Sequence, residues 1–279
     1  MKIKLICDSL CDAPKELIEQ YDIDVVPLNI ILGDKEYKEG IDISNDEFYK
    51  RMKEKTEVPK TSQATYIQFK EVFDKYKDDY SIVCINGSSK SSGTYQSAVM
   101  AKNDTEGDIH IFDTLTLSLG SAQFVVKACE LIENNKDIKA EELIKHLEEL
   151  RESVSLFFVP DTLEYLQRSG RASLTTATIG NLLKIKPIFT VEDANIFILN
   201  KVRGKKHAIH ELVNLVVNKY DTLEDKNIII GCGDNVDDFE KLKEEVNSKI
   251  KCKKLYFTRG GACICSHTGP DIFAISCSY

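Results

Sequence analysis

The stretch that decides the fold is Tyr80-Ser81-Ile82-Val83-Cys84-Ile85-Asn86-Gly87-Ser88-Ser89-Lys90-Ser91-Ser92-Gly93-Thr94-Tyr95-Gln96-Ser97-Ala98-Val99-Met100-Ala101. It begins as an apolar strand run and ends in a helix pattern, with a hydroxyl-dense turn between the two. Strand, short turn, helix is the repeating unit of a parallel α/β sheet, and such sheets hold their ligands at the carboxyl ends of the strands. A helix start presents unpaired N–H groups and a partial positive charge, beside which the serines add donors that rotate freely. The turn is therefore suited to an anion. The same residues also serve as helix caps and loop filler, and the turn alone leaves both readings open.

Outward from this unit the pattern repeats. Strand-like runs at 3–7, 24–31, 81–85, 109–113 and 154–159 alternate with helical spacing at Phe69, Val72, Phe73 and Tyr76 and at Leu143, Ile144, Leu147 and Leu150. That order predicts a mostly parallel sheet with crossover helices. The character changes at Pro160. A helix through Leu163 and Leu166 and a second through Ile179, Leu182 and Leu183 precede a hairpin, 187–191 against 196–199, turning at Glu192-Asp193-Ala194-Asn195. Beyond it, 228–230 and 255–257 flank a helix whose apolar residues are Val236, Phe239, Leu242 and Val246. The expectation is an α/β protein of two domains, 1–159 with a mostly parallel sheet and 160–279 with some antiparallel pairing, and a ligand cavity between them.

Composition narrows the function classes. With 279 residues, 42% hydrophobic and 29% charged, the chain has the make-up of a globular protein with a substantial core. A net charge of -8 argues against a general nucleic-acid binder, which needs a dense basic surface. The sequence enters directly on a strand pattern and contains no apolar run long enough to span a bilayer, so the expected address is the cytoplasm. Nine cysteines without a CxxC pair read as reduced packing residues. Cys263-Ile264-Cys265 with His267 is the one cluster that resembles a metal set, and its spacing suits no zinc site.

Familiar catalytic motifs are missing: there is no GxSxG elbow, HExxH, Walker loop, or GxGxxG after the first strand. Gly231-Cys232-Gly233-Asp234 follows a strand but reads as a tight turn. Of the five histidines, His267 stands out, because Ser266-His267-Thr268-Gly269-Pro270 has turn chemistry and loop histidines often face ligands. Pro59-Lys60-Thr61-Ser62-Gln63 joins two helix patterns with adjacent hydroxyls that either bind or cap. Asp8-Ser9 follows the first strand and should lie on the same sheet edge as the serine-rich turn. Lys201-Val202-Arg203-Gly204-Lys205-Lys206 ends the hairpin and opens a helix.

Taken together, Asp8-Ser9, Pro59 to Gln63, Ser88 to Ala98, Leu163-Glu164-Tyr165-Leu166 with Gly170-Arg171, Lys184-Ile185-Lys186-Pro187, Lys201-Val202-Arg203 and His267 with Gly269-Pro270 resemble the DegV family over essentially the whole chain. The resemblance implies a two-domain fold enclosing a long-chain fatty acid, and the role of the acyl-carrying subunit (FakB) of bacterial fatty acid kinase. Such a subunit is not itself an enzyme and uses no cofactor. Its partners are the fatty acid, a FakA-like kinase and, transiently, a membrane surface. The resemblance places the carboxylate against Thr61, Ser62, Ser92, Gly93 and Thr94, and Arg203 and His267 near the entrance. The family's late motif usually closes as His-x-Gly-Pro-Gly, whereas here Pro270 is followed by Asp271. Two alternatives remain from the residues themselves: a serine hydrolase or phosphotransferase using Ser92 with His267 as base, and a binding module for another small anion.

Overall fold

The computed structural model describes residues 1–54, 58–171 and 185–278. Strands β1 (Lys2–Asp8), β2 (Asp24–Val26), β6 (Tyr80–Asn86) and β7 (Ile109–Asp113) form an all-parallel sheet in the order β2-β1-β6-β7. β6 is buried along nearly its whole length, as a strand covered on both faces must be, and this explains its unbroken apolar run. Helices α3 (Tyr66–Tyr76) and α4 (Thr94–Asn103) pack together on this sheet, as do α5 (Leu119–Asn134) and α6 (Ala140–Leu150).

A second sheet has six strands: β8 (Ser155–Pro160), β9 (Ile185–Glu192), β10 (Asn195–Arg203), β11 (Asn227–Cys232), β12 (Lys254–Arg259) and β13 (Ile272–Cys277), in the order β10-β9-β8-β13-β11-β12. Only β11 and β12 run parallel; the other pairings are antiparallel. The expected hairpin is β9–β10, with Asn195 opposite Glu192 and both turn residues, Asp193 and Ala194, at positive φ, as a two-residue primed turn requires. The strand expected at 154–159 does not pair with the first sheet. As β8 it lies between β9 and β13, so the expected boundary at 159/160 falls at the end of a strand of the second sheet.

The run at 24–31 is likewise two strands. Pro27 has no N–H to donate, so β2 ends at Val26 and the chain re-enters pairing as β3 (Asn29–Leu32) of a small antiparallel sheet with β4 (Lys35–Lys38) and β5 (Lys60–Ser62). The helix expected through Leu163 and Leu166 is α7 (Glu164–Ser169); the one through Ile179, Leu182 and Leu183 lies outside the described residues. α8 (Lys205–Lys219) follows the hairpin and α9 (Val236–Lys249) follows β11.

Alternation along the second sheet gives it two different faces. Phe157, Val159, Phe273 and Ile275 pack with α8 and α9 in a core of their own. Leu156, Phe158, Ile272 and Ala274 point the other way and join the core of the parallel sheet. α5 lies between the two sheets, touching β6 on one side and β11 and β13 on the other. Its first two turns are buried all round, and Gly120 is needed there because a Cβ would stand 2.4 Å from Thr116 Oγ1.

Candidate functional site

The serine-rich turn is held at its base and open at its tip. Ser88 is fully buried; its carbonyl accepts from the amides of Ser91 and Ser92 (both 3.1 Å) and its hydroxyl from Lys90 N (3.1 Å). It is structural, whereas Ser91 and Ser92 face a cavity. Ser92 Oγ accepts from Thr94 N at 3.2 Å and lies 2.9 Å from Thr94 Oγ1, which in turn accepts from Ala64 N at 3.2 Å. Thr94 is thus fully buried and ties the turn to the segment after β5. Gly93 has an ordinary φ of -71°, so its glycine is a matter of space: a Cβ there would stand 1.9 Å from Gln63 Oε1.

Thr61 and Ser62 sit on β5, not on a helix-to-helix loop, and successive strand side chains point to opposite faces. The two hydroxyls accordingly separate. Thr61 Oγ1 lies 2.9 Å from His267 Nε2, while Ser62 Oγ donates to Glu36 Oε1 at 2.9 Å. The cap of α3 is Thr65, whose hydroxyl accepts from Gln68 N and closes a capping box with the Gln68 side chain. His267 is also not on a loop. It is the penultimate residue of α10 (Ala262–Thr268), which ends at Gly269 with φ +90°. A Cβ on Gly269 would meet Tyr165 Cδ2 at 2.7 Å.

These elements enclose a cavity of about 350 Å³, within the range of small-molecule sites. Thr61, Ser62, Gln63, Ser91, Ser92, Gly93 and His267 give it a polar wall; Leu10, Leu28, Leu117 and Leu166, with the inner face of the second sheet at Leu156, Phe158, Val191, Ile196 and Ile272, give it an apolar one. Among the described residues that line it, Arg171 is the only charged side chain. Burial, aided by the charge of Arg171, pushes the His267 imidazole down to about 4, so the ring is neutral at physiological pH. Its Nδ1 is buried without a hydrogen-bond partner among the described residues.

Of the residues expected at a binding site, Thr61, Ser62, Ser92, Gly93 and His267 line the cavity and Thr94 stands directly behind Ser92. Arg203 does not join them. It ends the exposed edge strand β10, paired with Ile185, and its carbonyl meets His207 Nδ1 at 2.9 Å. Among the described residues the cation at the cavity is Arg171. Asp8 does reach the turn, accepting from Gly87 N at 3.0 Å and Asn86 Nδ2 at 3.1 Å. Cys263 and Cys265 are buried on α10, Cys265 against Tyr49 Oη at 3.1 Å. The metal-capable group among the described residues, Asp108, His110 and Glu141, does not border the cavity, and two of its members bond each other at 2.8 Å.

The family model of DegV matches residues 2–279. The chain belongs to the DegV family. A fatty acid-binding protein of Thermotoga maritima is 35% identical over 97% of this chain and 95% of its own. The structure of DegV, a fatty acid binding protein from Bacillus subtilis, superposes with a TM-score of 0.88 at 30% identity, covering 100% of this chain and 99% of that one. A DegV family protein from Thermus thermophilus, described for its fatty acid binding, gives 0.90 at 29% identity with the same coverage. The DegV fold thus accounts for the whole chain, its mixed second sheet included. Among the described residues no helix is long and apolar enough to cross a membrane.

Proposed function

We propose that this DegV protein binds a long-chain fatty acid in the cavity and presents its carboxylate, at the serine-rich turn, to a partner fatty acid kinase. The observation that carries this is the make-up of the cavity: a broad aliphatic wall facing a hydroxyl-rich one, with no acid among the described lining residues. A chain of about sixteen carbons, at ~0.8 kcal/mol per buried CH₂, supplies on the order of 12 kcal/mol of gross transfer free energy. Hydrogen bonds to a charged group contribute about 1.5–3 kcal/mol each, so the hydroxyls fix register and keep the carboxylate satisfied out of water. In this reading Ser92, the backbone around Gly93 and Thr61 surround the carboxylate, His267 orients Thr61, and Arg171 is the nearest positive charge. Fatty-acid binding by relatives of the same fold adds weight.

The hydrolase alternative has less support. His267 Nε2 is engaged by Thr61 while Ser92 is engaged by Thr94, and among the described residues no carboxylate holds His267 Nδ1 as an orienting group would. A site for a small phosphorylated anion has no use for so large an aliphatic wall. On the favoured reading the protein acts in the cytoplasm without a cofactor, and phosphoryl-transfer chemistry belongs to the kinase. Mass spectrometry of denatured protein purified from a bacterial host should reveal bound fatty acid, and Ser92→Ala should retain less of it. Protein that arrives empty and refuses added long-chain acid would sink the proposal.

A further inference from the structure

The Asp8-Ser9 pair after β1 stands out in the sequence, yet the acyl site described above makes no use of it. Asp8 is fully buried at the carboxyl end of β1 and does not border the cavity. Its two oxygens serve two different walls. Oδ1 accepts from Leu10 N at 3.0 Å and, more weakly, from the Cys11 thiol at 3.7 Å. Oδ2 accepts from Gly87 N at 3.0 Å and from Asn86 Nδ2 at 3.1 Å. Leu10 belongs to the apolar wall of the cavity, whereas Asn86 ends β6 and Gly87 leads into the serine-rich turn. The two sides also touch, since a Cβ on Gly87 would stand 2.7 Å from Leu10 Cβ. Ser9 has a separate duty: its hydroxyl accepts from the amide of Leu28, another residue of the apolar wall, at 3.0 Å.

Every partner of Asp8 is a donor, and each of its oxygens meets a backbone amide. Such bonds are charge-assisted and suit an ionised carboxylate. A side-chain amide in its place must turn its NH2 toward one backbone N–H or the other, and a buried donor set against a donor loses the bond and leaves both unsatisfied. The turn carries the placement onward. Ser88, next to Gly87, is fully buried, and its carbonyl takes the amides of Ser91 and Ser92, so the tip is fixed relative to the base. Resting on the acyl-binding reading above, we propose that Asp8 is a positioning residue for the acyl carboxylate: it holds the base of the serine-rich turn in register with the apolar wall, so that Ser92 and the backbone at Gly93 meet the head group of a chain packed on Leu10.

Two variants separate the two arms. In Asp8→Asn the amide oxygen keeps the side with more donors, Gly87 N and Asn86 Nδ2, and the arm to Leu10 is lost. In Asp8→Asn/Asn86→Asp, which conserves charge and nearly conserves volume, the carboxylate at position 86 draws the NH2 at position 8 toward itself. The oxygen at position 8 then stays on Leu10 N, and Gly87 N loses its acceptor. Affinities of delipidated protein for myristate and for 1-tetradecanol, which has the same chain and no charge, are read by displacement of cis-parinaric acid at about pH 8. Desolvation lifts the Asp8 carboxyl only to about 6 against its hydrogen bonds, so the native residue is ionised there.

The native chain should prefer the acid. The exchanged pair should cut that preference by about tenfold, while Asp8→Asn should weaken both ligands and leave the preference within about twofold. A general loss of stability weakens acid and alcohol together, so a preference unchanged by the exchange overturns the proposal. The native chain gives a second reading that depends on no variant folding. Coupling is reciprocal, so myristate, and not tetradecanol, should slow hydrogen exchange at the Gly87 amide by about threefold or more. Equal protection by the two ligands overturns the proposal as well. A native chain that binds neither myristate nor cis-parinaric acid overturns the acyl reading itself.

Discussion

Two residues at the cavity make opposite kinds of demand, one steric and one electrostatic. At Gly93 the demand is steric, because Gln63 Oε1 occupies the place of a Cβ while Gln63 Nε2 donates to Ser97 Oγ at 2.9 Å. Gly93→Ala must therefore expel the Gln63 side chain, and it should lower stability by about 1–3 kcal/mol in urea unfolding. Adding Gln63→Ala should recover most of the loss, which a purely conformational role for Gly93 would not allow. At His267 the demand is electrostatic. Burial holds the ring down to about 4, against about 6.5 in an unfolded chain, so below that upper value the unfolded state binds more protons and stability is lost as pH falls through the window. The buried carboxyls of Asp12 and Glu39, raised by desolvation to about 7, contribute with the opposite slope over an overlapping range. The raw pH profile of stability therefore mixes the two, and a difference curve separates them. The gap in melting temperature between the native chain and His267→Gln should narrow from about pH 6.5 to about pH 4; a gap that stays constant would mean the ring is not held neutral.

Among the elements, β5 and α3 resolve a choice the sequence left open. The adjacent hydroxyls of Thr61 and Ser62 read either as caps or as ligand donors, but the cap is Thr65, and Thr61 faces His267 from a three-residue strand. Thr65→Ala should cost about 1 kcal/mol of stability and leave fatty-acid retention unchanged; Thr61→Ala should do the reverse, with retention read by mass spectrometry and stability by urea unfolding. What hid β5 is that a strand this short exists only through its pairing with β3, some thirty residues earlier. The seven-residue helix α10 was hidden for a related reason. Its start is satisfied by Asp12 and Glu39 from the distant N-terminal segment, and the capping position itself is Gly261, so the local signal that marks a helix start is absent. Hence the sequence singled out His267, which lines the cavity, but did not reveal it as helical. The first two turns of α5 carry no apolar stripe because they are buried on every side, whereas the alternating β6–turn–α4 unit announced both the parallel sheet and the turn of Ser92. Arg203 and Arg171 are both arginines beside turn-forming residues, and only tertiary packing tells which one reaches the cavity.

At the scale of the whole molecule, the chain reads as two halves that share a core. The inner face of the six-stranded sheet, through Leu156, Phe158, Ile272 and Ala274, belongs to the same core as β1, β6 and α5. Pulling the halves apart would expose that face together with the first two turns of α5, where Leu119, Phe124 and Val125 are each at most 2% exposed. Each such side chain is worth about 1.5–3 kcal/mol, so a state with one half folded loses a large share of the marginal stability available to a domain. Urea unfolding should therefore show one transition, coincident by far-ultraviolet circular dichroism for the helices and by tyrosine absorbance for the packed rings. The cavity draws its lining from both sides of this shared core, so a fatty acid should move that single midpoint upward without splitting it, by about 2.7 kcal/mol of added stability at a hundredfold excess over Kd. A plateau between two transitions, or a ligand that shifts only the later of two, would mean that the halves fold independently and that the acid binds to one of them rather than across the core they share.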